Sequence, residues 1–307
     1  MTAQPPAMIG PDVEPRLDWV ALTEALIDGH TRPRAELADV FLTRGQDTLL
    51  SRAALIDGLG SLVKTATVFP ANPANGLAAV NGTASLFDDA TGLPAALVDF
   101  HLLTKWKTAG DSLLAARLLA RPDARAITLV GAGTVARSMA QAYARVFPGA
   151  EFTVWSRTEA SARALADDIG ARVAPDLEAA VRGADIICTA TIARAPVVRG
   201  DWLRPGQHLD LIGAFRADMR EVDDTALRRA RIFVDSRATT IAHIGELKDP
   251  IARGVIGPND VVADFYDIAA GGFARTGDDQ ITLAKNGGGA HLDLMTACYM
   301  RDCARGI

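Results

Sequence analysis

Ala126-Ile127-Thr128-Leu129-Val130-Gly131-Ala132-Gly133-Thr134-Val135-Ala136 is the stretch whose reading decides the fold. Its first five residues form a short apolar run that reads as a buried parallel strand. Beyond the glycines, Val135, Met139, Ala142 and Tyr143 recur at helical spacing. Strand, G-x-G-x-x-A and helix together make the pyrophosphate-binding turn of a dinucleotide fold. Gly131 allows the tight turn, and Gly133 lets the backbone approach the phosphates. Ala136 is small enough for the helix to pack on the strand. The helix begins at Thr134 and Val135, and its N-terminus faces the anion. The same letters also occur as a plain tight turn in α/β proteins that bind no nucleotide. A second strand at residues 152–155, at the right distance, favours the dinucleotide reading.

About 125 residues precede this unit and have a different character. Residues 17–28 read as a helix with Leu17, Val20, Ala21 and Leu26 near one face and Gly29 as its stop. Residues 49–52, 61–68 and 84–87 read as strands, with a turn at 88–92 and a returning strand at 94–99. Thr104 is expected to cap a long helix that runs to about Leu119 and ends at Arg121-Pro122-Asp123. After the glycine turn come a helix at 159–169, a short helix capped by Asp176, and strands at 185–189, 208–212 and 231–234. That alternation predicts a parallel sheet with helices on both faces and a ligand at the carboxyl ends of its strands. A last helix, 292–304, is expected to return to the first domain. The expected fold is therefore α/β. A Rossmann doubly wound parallel sheet covers 121–285, and a mixed α+β domain covers 1–120 with 286–307.

Composition excludes several classes. Hydrophobic residues at 49% and charged residues at 22% fit a globular chain with ample core. A net charge of −5 gives no general attraction to nucleic acid or to acidic membranes. Cys188, Cys298 and Cys303 form no disulfide framework, which points to a reducing cytoplasm, and they lack the company of a zinc site. The N-terminus does not resemble a signal peptide, and no run of about 18 apolar residues predicts a membrane span.

Residues at the strand ends carry the chemistry. After the second strand comes Ser156-Arg157-Thr158, where a free ribose 2′-hydroxyl usually meets an acid. No acid is present, and these side chains can bond a 2′-phosphate, so NADP(H) is favoured and NAD(H) remains open. Plainer readings are a solvated arginine and a helix cap at Ser156. Thr189-Ala190-Thr191 and Ile212-Gly213-Ala214 end later strands with residues small enough to admit a nicotinamide ring, or simply pack there. Upstream, Arg52 and Lys64 stand in strands, where a cation is unfavourable unless it faces a cleft or a partner. With Lys107 they would suit an anionic substrate, most simply a small carboxylate. Read singly, Arg52 and Lys64 could face solvent, and Lys107 could pair with Asp111 at i,i+4. The five histidines show no metal spacing, and His291, beside Gly287-Gly288-Gly289, is the one that stands out. Asp210, in mid-strand, reads as a buried, hydrogen-bonded carboxylate.

Taken together, these residues resemble the ornithine cyclodeaminase/mu-crystallin family over most of the chain. The marks are Val63-Lys64-Thr65, Leu86-Phe87-Asp88, Thr91-Gly92-Leu93-Pro94, Leu103-Thr104-Lys105-Trp106-Lys107-Thr108-Ala109 and Leu118-Leu119-Ala120-Arg121-Pro122. The glycine turn, Thr189-Ala190-Thr191 and Ile281-Thr282-Leu283-Ala284-Lys285 complete the ordered set. The resemblance implies a homodimer built through a substrate-binding N-terminal domain. It implies Arg52 and Lys64 on the substrate carboxylate, with Lys64 also donating a proton or polarising the C=N group. Lys107 stands where many members have Arg, near carboxylate and nicotinamide, and it keeps the charge without the bidentate fork. Gly288 and Gly289 are placed at the substrate. Asn286 is placed at the cofactor, where members often have Ser. Cyclodeaminases carry an Asp at the position of Phe215, and a phenyl ring cannot pair with a substrate ammonium. The expected activity is thus NAD(P)H-dependent reduction of a cyclic imino acid, Δ1-pyrroline-2-carboxylate or Δ1-piperideine-2-carboxylate. Ornithine cyclodeamination, an alanine-type amino-acid dehydrogenase and a non-catalytic cofactor-binding protein are the alternatives.

Overall fold

The structure, a computed structural model, describes residues 5–306. The chain divides into two compact units, residues 1–107 with 289–307 and residues 108–288.

In chain order the first unit comprises β1 (Ala7–Ile9), α1 (Trp19–His30), β2 (Glu36–Arg44), β3 (Asp47–Ile56), β4 (Gly60–Val68), β5 (Val80–Phe87) and β6 (Pro94–Asp99). They form one six-stranded sheet in the order β1-β6-β5-β4-β3-β2, antiparallel except for the β1–β6 pair. Helix α2 (Phe100–Leu119) follows, and the division between the units falls within it. It begins ahead of Thr104 because Asp99 receives the Leu102 N–H at 2.7 Å and so occupies the capping position.

The second unit contains β7 (Ala126–Val130), α3 (Thr134–Val146), β8 (Glu151–Trp155), α4 (Glu159–Ile169), β9 (Arg172–Val173), α5 (Leu177–Gly183), β10 (Ile186–Thr189) and β11 (His208–Leu211). Then come α6 (Asp224–Arg229), β12 (Arg231–Val234), α7 (Arg237–Thr240), α8 (Gly245–Ala252), β13 (Val261–Ala263) and β14 (Thr282–Lys285). All eight strands are parallel, in the order β13-β12-β14-β11-β10-β7-β8-β9. This is a doubly wound α/β sheet. Its order reverses between β7 and β10, so the crevice that collects ligands in such sheets opens there. Asp176 caps α5, accepting the Ala179 N–H at 2.8 Å.

Helix α9 (Ala290–Arg305) belongs to the first unit and lies on β3 and β4 beside α1. Gly29 is not a helix stop. It is buried within α1, capped by Asp18, and a side chain there would run into Met295 of α9. The glycine sets how closely the two helices approach. Strand β2 has no counterpart in the sequence reading. All nine of its residues are exposed, so nothing imposes the alternation by which a strand is recognised.

Candidate active site

In the first unit, β3 and β4 are in register so that Arg52 stands directly opposite Lys64. Paired residues project to the same side of a sheet, and here that side also carries buried Leu62, Ala66 and Ala54 under α9. Lys64 is only 7% exposed. Its ammonium donates to Asp293 Oδ1 of α9 at 2.8 Å and lies 4.8 Å from the centre of the Phe100 ring. Burial lowers the Lys64 pKa, and the charges of Lys107 and Arg52 add to that, while Asp293 opposes it. Arg52 is held by Asp39 of β2, with Nε 3.1 Å from Oδ1 and Nη2 2.9 Å from Oδ2. Lys107 is buried, and its charge reaches both Lys64 and His291. His291 is buried edge-to-face on His30. Burial first, then the charges of His30, Lys107 and Arg52, hold it well below the usual histidine range, so its ring is neutral at neutral pH.

In the second unit, a cleft of about 670 Å³ opens at the carboxyl ends of β7, β8 and β10. Gly131, Gly133, Ser156, Arg157, Thr158, Ala190 and Thr191 line it. Gly131 has φ 112°, and a Cβ there would fall 2.5 Å from the carbonyl oxygen of Ala190, so both conformation and space demand glycine. Gly133 differs. Its φ is −88°, and a Cβ would meet nothing within 4 Å. The fold would tolerate a side chain here, and it would fill the open space in front of the uncapped start of α3. Thr134 and Val135 form the first turn of α3, and Ala136 is buried where that helix packs on the sheet. These residues fit a dinucleotide pyrophosphate by backbone approach and by the donors of the helix end.

Arg157 and Thr158 are exposed. Thr158, not Ser156, is the N-cap residue of α4, and its hydroxyl makes no capping bond. Thr189 and Ala214 are fully buried, whereas Ile212 and Gly213 are half-buried.

The loop from Asn286 to Gly288 is pinned on both sides. The Asn286 amide donates to Asp210 Oδ1 and to Ser112 Oγ, each at 2.9 Å. Asp235 accepts the Gly287 and Gly288 N–H groups at 3.0 and 2.6 Å, and Gly288 has φ 66°. The Asn286 side-chain oxygen is buried with no partner among the described residues. Asp210, which also receives the Tyr143 hydroxyl, is pushed up to about 6 by burial.

Several roles escaped the sequence reading. Asp293 and Asp39 hold the two strand cations. On β14 of the second unit, Lys285 is fully buried and donates to the Leu211 carbonyl at 2.7 Å, with buried Glu221 and Glu246 in the same unit. Burial, then the charge of Glu221, raises Glu246 to about 7. An acid two residues into a new helix, or following an arginine, looks in sequence like any solvated carboxylate. Only their partners mark them. Among the described residues no group of three or more His, Cys, Asp or Glu is arranged to hold a metal.

Comparison with known proteins agrees with this geometry. Residues 54–306 match the model of the ornithine cyclodeaminase/mu-crystallin family. The chain is 52% identical over 296 residues to the Δ1-pyrroline-2-carboxylate reductase of Paracoccus denitrificans, covering 94% of each. The Thermococcus litoralis Δ1-pyrroline-2-carboxylate reductase, solved with NADH and L-proline, is 26% identical with a TM-score of 0.86, over 98% of both chains. An archaeal alanine dehydrogenase dimer with bound NAD is 27% identical with the same TM-score of 0.86, over 98% of this chain and 97% of that one. Two chemistries thus share one fold, and the fold alone does not choose between them. The chain belongs to the ornithine cyclodeaminase/mu-crystallin family.

Proposed function

We propose that this protein is an NAD(P)H-dependent imino-acid reductase that converts Δ1-pyrroline-2-carboxylate, or its six-membered homologue, to the corresponding amino acid. The observation that carries the reading is the facing pair Arg52 and Lys64, with Lys64 buried against Asp293. The identity of 52% to a reductase of that substrate supports it. In this reading the first unit binds substrate and the second binds cofactor.

Arg52 and Lys107 hold the substrate carboxylate, supplying charge and orientation. Bound reduced nicotinamide supplies a hydride to the imine carbon. Lys64 gives its proton to the ring nitrogen, so the C=N bond becomes a CH–NH single bond. Burial makes Lys64 a better acid than a solvated lysine, and Asp293 fixes the direction of its ammonium. Gly288 and Gly289 bring no side chain to crowd the substrate, and Asn286, whose side-chain oxygen has no partner among the described residues, is assigned to the cofactor. Phe215, 61% exposed after β11, offers no carboxylate to a substrate amine, which speaks against ornithine cyclodeamination. A panel of cyclic imino acids, ornithine, and keto acids with ammonia tests the reading. Cofactor oxidation only with keto acid and ammonia would replace it with an amino-acid dehydrogenase.

The cofactor we favour is NADP(H), because Ser156, Arg157 and Thr158 line the cleft without an acid. NAD(H) is the alternative. Arg157→Ala should raise KM for NADPH about 10- to 100-fold, the worth of one charge-assisted hydrogen bond, and change KM for NADH less than about 3-fold. Equal effects on both cofactors would refute the assignment.

We also propose a homodimer through the first unit; it is supported by the outer side of that unit's sheet, where Val40, Leu42 and Leu55 are 51%, 61% and 50% exposed. Such a patch is unusual on a monomer. Sedimentation should give twice the chain mass; a monomer at micromolar concentration would contradict it. Free Cys188, Cys298 and Cys303 suit a cytoplasmic location, and no helix among the described residues is long and apolar enough to cross a membrane.

A further inference from the structure

Glu221 is fully buried in the second unit, yet its carboxylate points at the cleft wall. Oε1 accepts the Thr191 N–H at 2.9 Å and the Thr191 hydroxyl at 2.8 Å. Oε2 accepts the N–H groups of Gly213 at 2.8 Å and Ala214 at 3.1 Å. One side chain thus ties together the segments that leave β10 and β11. The two segments run close together past the strand ends, where the Ile212 N–H donates to the Thr189 carbonyl at 3.1 Å. Gly213 makes the junction possible, because a Cβ there would overlap both Glu221 Oε1 and the Thr191 backbone.

Glu221 is itself anchored. Its own N–H and that of Val222 are received by Glu246, at 2.7 and 3.0 Å. The carboxylate of Glu246 holds a backbone segment, and the carboxylate of Glu221 on that segment holds two strand ends. Burying a charged carboxylate is strongly unfavourable unless its lone pairs are met, and here four donors meet them. A glutamate spent in this way where a neutral residue would pack is an expensive device for stability alone. Its effect falls on Thr191, which lines the cleft, and on the neighbouring Ala190, whose carbonyl abuts Gly131.

We infer that Glu221 is a positioning residue for the nicotinamide cofactor, fixing residues 190–191 of the cleft wall by tying them to residues 213–214 behind them. This role rests on the cofactor reading of the cleft. Glu221 touches no reacting atom, so its loss should weaken cofactor binding more than it slows the bound complex.

Glu221→Gln replaces one acceptor oxygen by an NH₂ group that faces N–H donors. Glu221→Asp keeps the charge but falls short of one of the two donor pairs. Titration of nicotinamide fluorescence with NADPH and NADH, and steady-state kinetics on Δ1-pyrroline-2-carboxylate, should be run on the wild type and both variants. We expect KM and Kd for the cofactor to rise about 10- to 100-fold in each, matching one or two charge-assisted bonds, with kcat at saturating cofactor within about 3-fold. Wild-type cofactor affinity in either variant would overturn the role, as would a loss confined to kcat. Failure of both variants to fold would also overturn it, placing Glu221 in the fold and not the site. If the wild type itself bound neither cofactor, the cofactor reading of the cleft would fail instead.

Discussion

Lys64→Ala should lower kcat by about 10³-fold, within the 10²- to 10⁴-fold range of a positioned general acid, while leaving the Kd for NADPH within about 2-fold. The two effects separate because Lys64 lies on β4 of the first unit and the glycine turn in the second. The variant also strands Asp293, 1% exposed, as an unpaired buried carboxylate. Breaking a buried ion pair from one side destabilises by about 3–5 kcal/mol. That loss could be mistaken for the catalytic one. Adding Asp293→Asn removes the stranded charge, so the double variant should recover part of the stability and none of the turnover. Recovery of turnover with stability would show that Lys64 serves the fold and not the reaction. Urea denaturation alongside steady-state kinetics reads both quantities.

Gly133→Val should weaken cofactor binding at least about 100-fold while changing the unfolding free energy by no more than about 1 kcal/mol. At φ −88° any L-residue is accommodated, and the space in front of Gly133 is open to 4 Å, so the fold has no objection to a side chain. The pyrophosphate does, because the branched side chain occupies its approach to the helix end. Gly131→Ala is the contrasting case. Its φ of 112° and the Ala190 carbonyl at 2.5 Å from the added carbon should make that variant lose stability as well as affinity. Isothermal titration with NADPH, paired with thermal unfolding, distinguishes the two. A Gly133→Val protein with unchanged affinity would remove the glycine turn from the cofactor site.

The two glycines show what the sequence discloses and what it hides. The turn was legible because its chemistry is local: strand, glycines and helix lie within 11 consecutive residues, and β7 and α3 appear where that spacing puts them. Helix α4 runs over Glu159–Ile169 and β12 over Arg231–Val234, as the sequence predicts, because α4 buries one stripe, Ala162, Leu165 and Ala166, against the sheet and β12 is an apolar run buried on both sides. Strand β2 was missed because none of its residues is buried and the pattern has nothing to report. Thr104 looked like a helix cap, and Asp99 took that place because the strand before it ends abruptly at the helix. Phe215 could be read as a missing acid because the matching residues were already ordered along the chain.

The site was legible in its cations and not in its acids. Arg52 and Lys64 stood out in strands, but their alignment comes from a hairpin register that also depends on Gly58 and Gly60, both at positive φ. Asp293 reaches Lys64 across 229 positions of sequence. Glu221 reaches Thr191 across 30. Pairings of that span follow from how helices settle on sheets, which periodicity does not encode. The acids that orient the proposed donor and the cofactor wall therefore emerge only from the folded chain.

The central claim is that this chain delivers hydride to a cyclic C=N bond next to a carboxylate. The most direct measurement incubates the purified protein with Δ1-pyrroline-2-carboxylate and NADPH, or NADH, and counts cofactor oxidised against proline formed. The account predicts one proline for each cofactor consumed, with turnover falling to the background rate in Lys64→Ala. Ammonia release from ornithine without net cofactor consumption, in a protein that leaves the imine untouched, would contradict it.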